Sequence, residues 1–113
     1  MGAGDQLRIE MRREPDRTIL SLAGELDMAS TELLQQALAA QELRQQPMIV
    51  LDLQQLEFID STGLRSILVA LEQCRERGQQ FAITPGSQQV QRLLGITGIA
   101  EHLPTVAASE ARS

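Results

Sequence analysis

Lysine is missing from this chain, and all ten basic residues are arginine. A P-loop lysine, a Schiff base and a kinase-type phosphate-anchoring lysine are therefore outside its chemistry. Tryptophan and tyrosine are absent too, and Phe58 and Phe81 are the only aromatics, so no stacking platform for nucleic-acid bases can be assembled. The single cysteine, Cys74, cannot close an internal disulfide and has no Cys or His at metal-ligand spacing, which fits a reducing cytoplasm. The single histidine, His102, has no nucleophile-elbow serine or cysteine to serve as a base. No apolar run approaches the ~20 residues of a membrane span. The opening Met1-Gly2-Ala3-Gly4-Asp5-Gln6 has neither a signal-peptide core nor the Ser or Thr of a myristoylation site. Fifteen acidic residues against ten basic ones give a net charge of -5, which disfavours binding to nucleic acid or anionic membrane through counterion release. The expectation is a cytoplasmic binding protein with no cofactor, no metal and no membrane insertion, and not an enzyme.

What remains is ordinary globular material: 113 residues, 42% hydrophobic and 22% charged, enough for one core, so residues 1–113 read as a single domain. Leu7, Ile9 and Met11 alternate with Arg8, Glu10 and Arg12 as in a half-buried strand, and Glu14-Pro15-Asp16 breaks the pattern into a hairpin. Thr18 to Ala23 supplies the returning strand, ending at Gly24. Asp27 to Ser30 leads into a helix with Ser30 as N-cap and Leu33, Leu34, Ala37 and Leu38 as its apolar stripe. Met48 to Leu53 is a near-continuous apolar run suited to a central strand covered on both faces. The next helix places Leu64, Ile67, Leu68, Leu71 and Cys74 on one side, with Gly78 at its C-cap. Gln80 to Thr84 reads as a strand. Ser87 caps a short helix that buries Val90, Leu93 and Leu94 and stops at Gly95, and a last short strand is expected near Leu103. Residues 107–113 read as a frayed helix or tail. The order implies a mixed α/β fold of four to five strands, a hairpin first and crossover helices after it.

Candidate enzyme sites are weak. Glu25 and Asp27 on an extended segment project to opposite sides, so they do not form a carboxylate pair. The segment Phe58-Ile59-Asp60-Ser61-Thr62-Gly63-Leu64 stands out by its position before the best helix. An Asp or Ser there can cap the helix, contributing about 1 kcal/mol. Yet Gly63 inside the first turn costs ~1 kcal/mol of helix propensity against alanine, and a local cost suggests a local use. Gly63 would let a partner's backbone approach closely, and a phosphate on Ser61 would face the positive end of the helix dipole.

Gly24-Glu25-Leu26-Asp27, the strand ending Leu51-Asp52-Leu53, the segment Phe58 to Leu64, and Leu93-Leu94-Gly95-Ile96-Thr97-Gly98-Ile99 occur in an order and spacing that together resemble the STAS domain of bacterial anti-sigma-factor antagonists. The resemblance covers nearly the whole chain. It implies a sheet flanked by helices on one side. It also implies a serine, matching Ser61, phosphorylated by a partner anti-sigma factor that is a serine kinase of the GHKL ATPase type and reset by a serine phosphatase. Asp27, Asp60, Ser61, Thr62, Gly63 and Leu64 would meet that partner. Thr62 is a competing acceptor that the family pattern ranks below Ser61, and Arg65 departs from the small residue often found after the Gly-Leu pair. A second reading of the same resemblance is a non-switching STAS subunit of a membrane lipid transporter.

Overall fold

A computed structural model of the chain describes residues 7–96 and 103–107. The alternating segment Leu7–Arg13 forms β1, and Thr18–Leu26 returns antiparallel to it as β2, with Arg13 opposite Thr18 and Leu7 opposite Gly24. The turn closes where the Glu14 N–H donates to the Arg17 carbonyl at 2.8 Å. There follow α1 (Thr31–Leu38), a short α2 (Gln41–Arg44), β3 (Met48–Ile59), α3 (Ser61–Glu76), β4 (Gln80–Ile83) and α4 (Gln88–Ile96). β3 runs parallel to β2 and β4 parallel to β3, giving a four-stranded mixed sheet in the order β1-β2-β3-β4. The fifth strand expected near Leu103 is reduced to a single bridge between Ile83 and Thr105. Pro104 has no N–H with which to lengthen that ladder.

All four helices contribute to one core on one face of the sheet. Leu34 and Leu38 of α1, Leu43 of α2, Ile67 and Leu71 of α3 and Val90 of α4 pack with Leu20, Leu22, Ile49, Leu51 and Leu53. Burying each such side chain contributes about 1.5–3 kcal/mol. Among the described residues the opposite face carries a small apolar patch, Ile19 and Val50 with Met48 and Val106 against them. Beside it lie the polar residues Arg8, Glu10, Ser21 and Asp52. Among the described residues the central strand is thus covered by helices on one face only, and Asp52 breaks the apolar run at a position that alternation sends outward.

Three boundaries differ from the sequence reading. β2 continues past Gly24, which adopts a φ of 100° at a shift in the β2–β3 register and so carries the strand on to Leu26. β3 extends to Ile59, pairing Phe58 with Glu25 and Ile59 with Leu26. α4 does not stop at Gly95 but includes Ile96, its last turn anchored by buried Leu94. In α1 the stripe narrows, since Leu34 and Leu38 are buried while Leu33 is 37% exposed. Gly78 ends α3 with a φ of 75°, as expected of a C-cap glycine.

Candidate functional site

Parallel pairing of Leu26 with Ile59 makes β2 and β3 end side by side, so the loops leading into α1 and α3 emerge next to one another. The carboxyl ends of parallel strands are where open α/β sheets place their sites. Asp60 joins the two loops. Its backbone N–H donates to the Leu26 carbonyl at 3.2 Å. Its extended backbone makes it the N-cap of α3, where Oδ1 accepts the Gly63 N–H at 2.8 Å. Oδ2 accepts the Met28 N–H at 3.2 Å from the neighbouring loop. One carboxylate thus caps a helix, worth about 1 kcal/mol, and fixes the approach of the β2–α1 connection.

That connection is internally braced. Asp27 Oδ1 accepts the Ala29 N–H at 3.0 Å, an Asx-type turn. Ser30 holds the N-cap position of α1, yet its hydroxyl bonds no helix N–H. The oxygen accepts the Asp27 N–H at 3.0 Å and donates to the Glu25 carbonyl at 2.9 Å. The capping role expected of the Ser30 side chain gives way to satisfying polar backbone beside the strand's register shift, where a buried hydroxyl is more useful.

Ser61 and Thr62 are the first two residues of α3, and both are exposed. Among the described residues no hydrogen bond engages either hydroxyl. Gly63 and Leu64 turn inward and are buried. The absence of a side chain at Gly63 has an internal cause: a Cβ there would collide with the Leu26 carbonyl oxygen and lie 3.0 Å from Ile59 Cγ1. The close approach that glycine permits is between α3 and the end of β2. Buried Ser66 reinforces this turn, donating to the Gly63 carbonyl at 2.6 Å.

The segments that flank Ser61 in the chain, and the loop tied to Asp60, carry acidic and apolar groups. Asp27 and Asp60 are half-buried, and Arg65 is exposed one helical turn beyond Ser61. Met28 is 76% exposed although its backbone is tied to Asp60, and Phe58 is 46% exposed. Phe58 and Ile59 line an open cleft of about 310 Å³ with Gln89, Arg92 and Leu93 of α4. Met28 went unnoticed in the sequence, where the only signal is a bulky apolar residue in a short polar turn.

Elsewhere the chemistry is sparse. Burial pushes the Cys74 thiol up from its ordinary value, with Arg77 partly opposing the shift. Among the described residues no three His, Cys, Asp or Glu side chains converge as metal ligands. No helix among them is long and apolar enough to cross a membrane. His102, and Thr97-Gly98-Ile99 of the last motif, lie outside the described residues.

The mixed sheet, with the described helices packed on one face, is a fold that known proteins share. The model of the STAS domain family matches residues 8–112, and the chain belongs to that family. It is 33% identical over 99 residues to an anti-sigma F factor antagonist of Paenibacillus polymyxa, covering 87% of this chain and 85% of that one. To an anti-sigma-B factor antagonist of Listeria monocytogenes it is 27% identical over 96 residues, covering 84% of each. The fold is that of an anti-sigma factor antagonist from Mycobacterium paratuberculosis, with a TM-score of 0.82 at 24% identity over 98% of this chain and 95% of that one. It is also that of the anti-sigma factor antagonist SpoIIAA in its unphosphorylated form, with a TM-score of 0.75 at 17% identity over 92% of each.

Proposed function

We propose that this chain is a cytoplasmic anti-sigma factor antagonist whose grip on its partner is switched by phosphorylation of Ser61. The observation that carries the reading is the placement of Ser61: exposed at the first position of α3, beside a neighbouring loop held by the Asp60 carboxylate. The relatives named as antagonists support the general role. A structural relative described in its unphosphorylated form supports phosphorylation as a second state of such a fold. In this reading the chain is a regulatory binding protein and a kinase substrate, and it contributes no catalytic group.

Unmodified, the surface formed by Asp27, Asp60, Ser61, Thr62 and the start of α3 docks on the anti-sigma factor and displaces the sigma factor. The exposed side chains of Met28 and Phe58 flank it and supply apolar anchors of the kind that dominate binding energy. Gly63 and Leu64 act from below, setting how closely α3 approaches β2. The anti-sigma factor, a serine kinase of the GHKL type, transfers the γ-phosphoryl group of ATP to Ser61 Oγ. The new O–P bond forms as the bond to the β-phosphate oxygen breaks, and the serine proton passes to the kinase's base. The phosphate adds about -1.5 to -2 charge to a surface already holding Asp27 and Asp60. A penalty of about 3 kcal/mol lowers affinity roughly a hundredfold, so release needs no refolding. A serine phosphatase reverses the step.

Incubation with the cognate anti-sigma factor and ATP tests this. One phosphate should appear on the wild type and on Thr62→Ala, and none on Ser61→Ala. Modification that persists in Ser61→Ala would refute the assignment.

A further inference from the structure

We propose that β1 is a self-recognition edge, through which two copies of this chain pair antiparallel about a two-fold axis at Met11. Among the described residues β1 is an end strand whose single neighbour is β2. The bond from the Glu14 N–H to the Arg17 carbonyl fixes which residues of the hairpin exchange hydrogen bonds. By alternation, Arg12, Glu10 and Arg8 face β2, while Arg13, Met11 and Ile9 direct N–H and C=O away from the sheet. An edge of this kind is a template for another strand unless something blunts it. β1 contains neither proline nor bulge and is paired with β2 in unbroken register, while its charges, Arg8, Glu10, Arg12 and Arg13, blunt it against any strand that does not complement them.

The occupant is identified by charge. With the axis at Met11, Glu10 of one copy opposes Arg12 of the second and Arg8 opposes Glu14, each pair occurring twice and each on the outer face of the sheet. Met11, 42% exposed, meets its own counterpart on the helix side. Within one copy Arg12 Nε already pairs with Glu14 Oε2 at 3.2 Å. An axis at Glu10 or Arg12 would instead oppose like charges, and an axis at Ile9 opposes only Arg8 and Glu10, twice, among the described residues, where the Met11 axis makes four opposite-charge contacts. Opposite charges across strands favour pairing and like charges oppose it, so the strand's own sequence selects one register. The contact area of one strand pair lies at the small end of specific interfaces, so the dimer is concentration-dependent.

Sedimentation across a wide dilution series tests the proposal. The wild type should rise from 12.4 kDa toward twice that mass with concentration, less steeply in high salt. Glu10→Arg should weaken association by about tenfold or more, and adding Arg12→Glu to it should restore association. Because Cys74 is buried, Met11→Cys offers one accessible thiol, which should form an intermolecular disulfide on mild oxidation and do so less in the Glu10→Arg background. Circular dichroism establishes that each variant is folded. A wild type that stays at monomer mass throughout, or a dimer unaffected by Glu10→Arg, would overturn the proposal.

Discussion

Gly63 and the carbonyl of Leu26 are packed so closely that a single added methyl group at position 63 would overlap the carbonyl oxygen. The neighbouring atom belongs to backbone held in the sheet by the Leu26–Ile59 pairing, so it cannot swing aside as a side chain would. Gly63→Ala should therefore destabilise the protein by about 2–3 kcal/mol despite alanine's better helix propensity. Thermal unfolding would register this as a drop in Tm of roughly 10 °C. An unchanged or raised Tm would show that propensity, and not the contact, governs the position.

The two oxygens of Asp60 do separable work, and two substitutions pull them apart. Asn can still accept the Gly63 N–H but presents a donor toward the Met28 N–H, whereas Ala loses both bonds. Amide hydrogen exchange should show Met28 deprotected in both variants and Gly63 deprotected only in Asp60→Ala. The full loss should cost about 1–2 kcal/mol.

Much of this architecture is legible in the sequence. Period-two alternation from Leu7 marks β1, the 3.6-residue spacing from Leu64 to Cys74 marks α3, and Gly78 marks its end. What the sequence hides depends on segments distant in the chain meeting in space. Gly63 is unusual in a helix for a reason that exists only once β2 lies beside β3. Ser30 looks like a cap until the Glu25 carbonyl beside the register shift claims its hydroxyl. The same holds for Met28, a loop residue whose backbone is brought to Asp60, the N-cap of α3, from 32 residues away. The resemblance of the Phe58–Leu64 segment singled out Ser61, and the structure adds that this residue is exposed.

Phosphorylation should leave the fold intact and slightly firmer. A phosphate on Ser61 stands at the positive end of the α3 dipole, with exposed Arg65 four residues on and within reach of an i, i+4 ion pair. The Tm of the phosphorylated protein should equal or exceed that of the unmodified one, and Arg65→Ala should reduce the gain. A marked fall in Tm on phosphorylation would point to release by unfolding instead of by surface charge.

Cys74 should be inert while the protein is folded. Its thiol is buried and its pKa is pushed up from the ordinary thiol value, chiefly through desolvation, with Arg77 partly opposing the shift. Thiol reagents should label it only at the rate of unfolding, becoming fast in denaturant. The sign of the linkage is also fixed. A thiol harder to ionise when folded contributes stability below the unfolded-state pKa and loses it as pH rises further. Denaturant midpoints should therefore decline above about pH 9 in the wild type and less so in Cys74→Ala, after allowing for that variant's own cavity cost.

The most direct test compares one equilibrium in two covalent states. The cognate anti-sigma factor is titrated, by calorimetry, with unmodified protein and with protein phosphorylated at Ser61, folding being verified for both. The account predicts tight binding by the first and a roughly hundredfold weaker Kd for the second, with Ser61→Asp displaced in the same direction. Equal affinities for the two forms, or tighter binding by the phosphorylated one, would contradict it.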